Sequence, residues 1–312
     1  MQPLTIWCNL DLPEDAVAEL RDGTKGHRLV LGRDVPAEEV GVALGQPSAE
    51  ASLSLPGLRW IQVTSAGFTR YDTPAFREAL RINGAVLSNS SSVFDEPCAQ
   101  HLLAMMLAFA RQLPAAFRDQ MGKRSWPAER IRDESWLLQD QTVVIVGYGA
   151  IARRFIELVA PFGLRLVALR REVRGDETVP TYPIGDLDRW LTEADHVANI
   201  LPANASSEKL FDEGRFAATK AGAYFYNIGR GTTVDQKALM DALTSEHLAA
   251  AYLDVTDPEP LPSDHPLWTA PNCWITPHTA GGHRGEWSRL VRHFLQNLRR
   301  FEAGEPLRDK VM

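Results

Sequence analysis

The chain has 312 residues, 45% hydrophobic and 23% charged, with a formal net charge of −7. That length gives room for two domains of ordinary size, and the acidic balance argues against nucleic acid or an acidic membrane surface as a partner. No run of about 18 apolar residues would span a bilayer, and the opening "MQPLTIWCNLDLPEDAVAEL" lacks the basic region of a signal peptide. Cys8, Cys98 and Cys273 are odd in number and far apart, with neither metal-ligand spacing nor a disulfide framework. Free thiols point to a reducing compartment, so a cytoplasmic protein is expected.

The first hundred residues alternate strand-like and helix-like pieces. "LTIWCNL", "LRWIQVTS" and "AVLSNS" read as strands, "PEDAVAELRD" and "TPAFREALR" as helices. This predicts a smaller, flavodoxin-like α/β domain. The run "EPCAQHLLAMMLAFARQL", 96–113, reads as a long helix opened by Glu96 and Pro97. Its apolar residues cover nearly the whole circumference, which predicts a helix buried between two domains. Residues 114–141 are polar with interspersed tryptophans, either an arm that packs on another subunit or a surface connector.

From 142 a second unit begins. "TVVIVG", "LRLVALR", "DHVANILP", "AYFYNIG", "AAYLDV" and "CWITPH" read as strands, with helices in "AIARRFIELVAPFG" and "TVDQKALMDALTSE". Such a succession predicts a doubly wound parallel sheet of the Rossmann kind. The chain closes on an amphipathic helix, "EWSRLVRHFLQNLRRFEAGE".

"VVIVGYGAIARRF" sets Gly147, Gly149 and Ala152 in the pattern G-x-G-x-x-A between a strand and a helix. Gly147 permits a tight turn, Gly149 lets backbone approach a pyrophosphate, and Ala152 lets the helix pack on the strand. The free N–H groups around Ala150 and Ile151 and the helix dipole then favour an anion. Dinucleotide binding is the expectation; a tight turn in an unliganded α/β domain is the alternative. At the end of the next strand, where an NAD site usually carries a carboxylate, the chain has Arg170 and Arg171. Guanidinium groups suit a 2′-phosphate, so NADPH is expected over NADH. Solvated arginines beside bound NAD are the other reading.

Arg230, Glu259 and His278 stand at or just after the ends of late strands, where ligands of open α/β sheets lie. With "VVIVGYGAIA", "NIGRGTTVD", "YLDVTDPEPLP" and "WITPHTAGG" in this order, the chain resembles the D-isomer-specific 2-hydroxyacid dehydrogenase family over nearly its whole length. The resemblance implies that Arg230 holds the carboxylate and carbonyl of a small 2-oxoacid. It also implies that His278 is the general acid or base and that Glu259 orients it. It places Pro202 and Asp254 near the cofactor, with a supporting or loop role for Asp254 left open. It likens "QVTSAGFTRYD" to a substrate loop, where the Ala66 and Gly67 amides form a carboxylate nest. The implied domains are 1–98 plus 284–312 for substrate and 99–283 for the dinucleotide, with 114–141 as a dimer arm in a homodimer.

Some residues depart from the family pattern. Phe68 stands where many relatives have a small aliphatic residue, and it reads as a pocket wall or a hydrophobic anchor. Gln100 replaces a common glutamate, and "LPANASSEKLF" lacks the usual threonine-glutamate-threonine pattern. His101, His196, His247, His265, His283 and His293 have no partner motif and read as surface or core residues. Trp126 could instead reach a neighbouring subunit's pocket. The leading expectation is an NADPH-dependent reductase of glyoxylate, hydroxypyruvate or a similar 2-oxoacid. The alternatives are reduction of a 2-imino acid on the same scaffold and a dinucleotide-sensing binding protein. A short-chain dehydrogenase is disfavoured, since there is no Tyr-x-x-x-Lys pair.

Overall fold

The computed structural model describes residues 3–36, 39–55 and 57–312. Contacts divide the chain into two compact units, Met1–Phe94 with Gly282–Met312, and Asp95–Gly281. The division falls before Asp95 and after Gly281, rather than after 98 and 283.

The first unit is built on five parallel strands: β1 (Thr5–Cys8), β2 (Arg28–Leu31), β3 (Val42–Gly45), β4 (Trp60–Val63) and β5 (Val86–Ser88). Their order is β2-β1-β3-β4-β5, the flavodoxin-like arrangement. Alternation along the strands divides the core between two faces. Ile6, Val42, Leu44 and Trp60 lie in one cluster, with Leu20, Phe294 and Leu298 from the helices Glu14–Gly23 and Glu286–Ala303. Trp7, Ala43, Ile61 and Val63 lie in the other, with Phe76 and Leu80 from the helix Pro74–Asn83. The amphipathic closing helix thus belongs to this unit, where Phe294 stacks on Trp60 at 5.2 Å.

The long helix spans Ser91–Ala110, so Pro97 lies inside it rather than at its start. The earlier start is supported from far along the chain. Asp309 Oδ2 accepts the Ser92 amide at 2.9 Å and its hydroxyl at 2.7 Å, and Asn89 Oδ1 accepts the Ser91 amide at 3.2 Å. These bonds satisfy N–H groups that every helix start leaves open. Burial is one-sided: Cys98, Leu102, Met106 and Phe109 are buried, whereas Gln100 and Ala104 are exposed. The 114–141 segment contains the helices Leu113–Met121 and Ala128–Glu134.

The second unit contains seven parallel strands: β6 (Thr142–Val146), β7 (Arg165–Arg170), β8 (Thr181–Pro183), β9 (His196–Asn199), β10 (Ala223–Asn227), β11 (Leu248–Leu253) and β12 (Cys273–Ile275). Their order is β12-β11-β10-β9-β6-β7-β8, so the winding reverses between β6 and β9, the topological switch point of a doubly wound sheet. One face packs Val144, Leu169, Phe211, Phe225, Leu239 and Leu253 in a single apolar cluster. The other carries an aromatic row in which His196 stacks on Tyr224 and Trp136 packs against both. His196 is a core residue: Nδ1 lies 3.1 Å from the Tyr226 hydroxyl and Nε2 2.8 Å from Gln141 Oε1.

Candidate active site

The strand ends at the switch point form the phosphate turn. Gly147 ends β6 with φ +108°, and a Cβ there would meet the Ile200 carbonyl oxygen, just past β9, at 3.1 Å. Glycine is therefore required both by conformation and by this close approach. At the exposed Gly149 a Cβ would meet nothing within 4 Å, which leaves room outside the turn. The helix Ala150–Val159 starts there without a side-chain cap, and Ala152 is fully buried beneath it. Open N–H groups, open space and a positive helix end fit the phosphates of a dinucleotide.

Arg170 and Arg171 occupy different surroundings. Arg170 Nη1 donates to Glu177 Oε1 at 2.5 Å and reaches Asp176 Oδ1 at 3.3 Å, and its guanidinium lies over the Tyr148 ring. The Arg170 side chain is 12% exposed and that of Glu177 4%. Hydrogen bonds from the Arg174 and Gly175 amides and the Arg170 side chain hold Glu177 down to about 2. Arg171 is exposed. The sequence does not announce this division, because Glu177 reaches Arg170 through a turn formed by residues 171–176. Pro202 is exposed just past β9, where its carbonyl accepts the Ser207 hydroxyl at 2.7 Å.

Arg230 follows β10 in extended backbone, with φ −145°. Both flanking glycines are required by close approach. A Cβ at Gly229 would lie 2.5 Å from the Leu201 carbonyl oxygen, and one at Gly231 1.9 Å from that of Thr256. The arginine is thus wedged between the segments that follow β9 and β11. One nitrogen, Nη1, donates to the Gly229 carbonyl at 2.6 Å. The guanidinium has five N–H donors, so this bond leaves further donors for a ligand.

Glu259 follows β11 on the same segment as Thr256. Its Oε1 accepts the Thr256 amide at 3.1 Å, and its Oε2 lies 2.8 Å from His278 Nδ1. His278 has φ +53°, a left-handed conformation that a side chain adopts only when its surroundings enforce it. Asp254 supplies that enforcement. Its carbonyl accepts the His278 amide at 2.8 Å, Oδ1 accepts that of Thr279 at 2.8 Å, and Oδ2 that of Ala280 at 3.0 Å. Proline has no N–H, so Asp254 holds every amide hydrogen from Pro277 to Ala280. Asp254 is 3% exposed. Its carboxylate thus supports the turn that carries His278. Beside Glu259 and His278 lies a cavity of about 380 Å³, walled in part by Thr256, Leu261, Trp268 and Ile275.

The arrangement can move a proton. With Nδ1 donating to Glu259, the outer Nε2 is an acceptor in neutral imidazole and a donor in imidazolium. His101, which in the sequence reads as a surface or core residue, has a polar partner. Its Nε2 lies 2.6 Å from the Tyr252 hydroxyl, and the signal available was Tyr252 two positions before Asp254, on the same strand face. Among the described residues no cluster suits a metal ion, and no helix is long and apolar enough to cross a membrane.

In the first unit the loop after β4 is held by its carbonyls. Those of Ser65, Ala66 and Gly67 accept from the Ser90 amide at 3.0 Å, Asn89 Nδ2 at 2.7 Å and Ser65 Oγ at 2.6 Å. In a trans peptide the carbonyl and the following N–H point oppositely, so the amides of Ala66, Gly67 and Phe68 are turned away from these partners. Phe68 packs against the cluster of Ile61, Val63 and Tyr71, as a hydrophobic anchor.

Two wound α/β units, one with a dinucleotide phosphate turn and a histidine–carboxylate pair, define an oxidoreductase of the nicotinamide type. The model of the D-isomer specific 2-hydroxyacid dehydrogenase, NAD binding domain, matches residues 103–280, and the chain belongs to that family. It is 36% identical over 231 residues to glyoxylate/hydroxypyruvate reductase B of Escherichia fergusonii, covering 72% of this chain and 68% of the relative. The same-named protein of Klebsiella pneumoniae strain 342 is 32% identical over 258 residues, 78% of this chain and 75% of its own. Among solved structures, a D-isomer specific 2-hydroxyacid dehydrogenase from Xanthobacter autotrophicus Py2 in complex with NADPH and MES superposes with a TM-score of 0.83. That likeness has 25% identity and covers 100% of this chain and 98% of the other.

Proposed function

We propose that this enzyme reduces a small 2-oxoacid, of the glyoxylate or hydroxypyruvate kind, to the D-2-hydroxyacid. The observation that carries the reading is the His278 Nδ1 to Glu259 Oε2 contact of 2.8 Å, which leaves Nε2 for a proton transfer. A bound nicotinamide cofactor would supply the hydride for the carbonyl carbon. Arg230 binds the carboxylate and polarises the carbonyl through its remaining donors. His278 delivers the proton to the oxygen that gains charge, and takes it back in the oxidative direction. Glu259 fixes the ring through its contact with Nδ1. The Ala66 and Gly67 amides are proposed donors to a small carboxylate. The names of the two reductase relatives support the substrate class.

NADPH is the proposed preferred cofactor, with Arg171 as the guanidinium available to a 2′-phosphate and Arg170 restrained by Glu177. Gly147, Gly149, Ala150, Ile151 and Ala152 would receive the pyrophosphate, with Pro202 alongside. A homodimer is proposed, with the arm as its contact: Phe117 is 53% exposed, Met121 78% and Trp126 91%. Free Cys8, Cys98 and Cys273 favour a cytoplasmic location.

The test is oxidation of NADPH and NADH against a panel of 2-oxoacids, each with and without ammonia or an amine. Turnover of glyoxylate or hydroxypyruvate without amine is expected. Turnover only with amine would move the enzyme to imino-acid reduction. Tight cofactor binding without any turnover would make it a dinucleotide-sensing protein.

A further inference from the structure

Behind the His278 turn, a row of side chains runs in one direction. The register of β11 on β12 pairs Tyr252 with Trp274 and Leu253 with Ile275, which brings Thr276 beside Asp254. The contacts are continuous. His101 Nε2 lies 2.6 Å from the Tyr252 hydroxyl, that hydroxyl lies 2.6 Å from Thr276 Oγ1, and Thr276 donates to Asp254 Oδ1 at 2.5 Å.

Hydrogen counting fixes the direction. A hydroxyl has one hydrogen to give. Thr276 gives its hydrogen to the carboxylate and therefore accepts from Tyr252. Tyr252 directs its hydrogen to Thr276 at 2.6 Å, with Asp254 Oδ1 a more distant acceptor at 3.5 Å, so its oxygen accepts from His101, and His101 must carry a hydrogen on Nε2. Burial pushes the Tyr252 phenol well above its ordinary range, so it stays a hydroxyl donor.

We propose that His101, Tyr252 and Thr276 form a one-way hydrogen-bond relay that ends on Asp254 and fixes the turn carrying His278. His101 and Tyr252 are then positioning residues for the proton step. This rests on the reading of His278 as the acid. The alternative is packing alone, since the His101 and Tyr252 rings stack with centroids 5.5 Å apart. Tyr252→Phe separates the two, because it keeps the ring and removes only the oxygen.

The full-length protein and four variants, Tyr252→Phe, His101→Leu, their combination and His101→Gln, would be compared with the best 2-oxoacid of the panel. Tyr252→Phe and His101→Leu are each expected to lower kcat about 5- to 30-fold, the usual effect of one lost buried hydrogen bond. The KM for the nicotinamide cofactor should stay unchanged and the alkaline limb of the pH profile, where a general acid loses its proton, should move. The double variant should be no worse than either single one, since one relay is broken only once. His101→Gln, which can still donate, should recover most of the rate. A second measurement needs no turnover: nitrogen-15 NMR should find His101 as the Nε2–H form. Additive losses, a wild-type rate and pH profile in Tyr252→Phe, or an Nδ1–H His101 would each overturn the relay. His278→Ala distinguishes the premise. If it is inactive while Tyr252→Phe is wild type, the relay alone fails; if it turns over normally, the reading of His278 fails.

Discussion

The imidazole of His278 meets the carboxylate of Glu259 through Nδ1 and Oε2 at 2.8 Å, and both groups stay open to solvent, 50% and 38% exposed. An exposed pair of this kind adds little stability, so its effect should be seen in the chemistry. Glu259→Gln keeps the oxygen that accepts the Thr256 amide and removes the charge facing the imidazole. Turnover is expected to fall about 10²-fold or more, with thermal unfolding little changed. A calorimetric scan beside a rate assay checks this; matched losses in both would make the pair structural.

Arg230 has one guanidinium nitrogen tied to Gly229, and its remaining donors are the proposed clamp for a carboxylate. Arg230→Lys keeps the charge but loses the planar fork. The expected result is a drop of about 10²–10³-fold in kcat/KM for the 2-oxoacid, with cofactor affinity retained. Steady-state kinetics paired with a cofactor titration would read both.

Cofactor choice should respond to a residue that need not touch the cofactor. Glu177 holds Arg170 over Tyr148, so Glu177→Gln should loosen that guanidinium and raise the NADPH to NADH preference. Arg171→Ala should lower NADPH affinity more than NADH affinity. Dissociation constants from nicotinamide fluorescence would decide, and equal losses for both cofactors would remove Arg171 from the 2′-phosphate role.

Burial lowers His196 from its ordinary value to about 4. The unfolded chain then binds a proton that the folded one refuses between about pH 6.5 and 4. Stability is therefore complete above this window and lost as pH falls through it, at about 1.4 kcal/mol per pH unit and about 3 kcal/mol in total. Urea unfolding at stepped pH should show that slope, and His196→Phe, which keeps a ring in the aromatic row, should flatten it. His293, lowered by burial too, would account for acid sensitivity that remains.

What could be read in advance was what is local. β6 and β10 are buried on both faces, so they appear as continuous apolar runs, and the phosphate turn and the order of Arg230, Glu259 and His278 follow from their placement after such strands. Short elements with mixed character escaped, among them β2, β8 and the helices Ala49–Ser54 and Glu213–Ala218. Other features depend on distant partners. The helix start at Ser91 depends on Asp309, 217 positions from Ser92, and His101 acquires a partner only through Tyr252, 151 positions away. Periodicity cannot report such contacts, because they exist only after the sheet has formed.

The glycines on either side of Arg230 make main chain, rather than side chains, the ruler that sets where its Cα stands. Leu201 and Thr256 touch that segment through their carbonyl oxygens, and a carbonyl is the same whichever residue carries it. The cavity walls beside Glu259, including Leu261 and Trp268, can therefore be exchanged without moving the arginine. On the proposed reading of Arg230, a scaffold of this design separates the fixed grip on a carboxylate from the adjustable fit to whatever is attached to it.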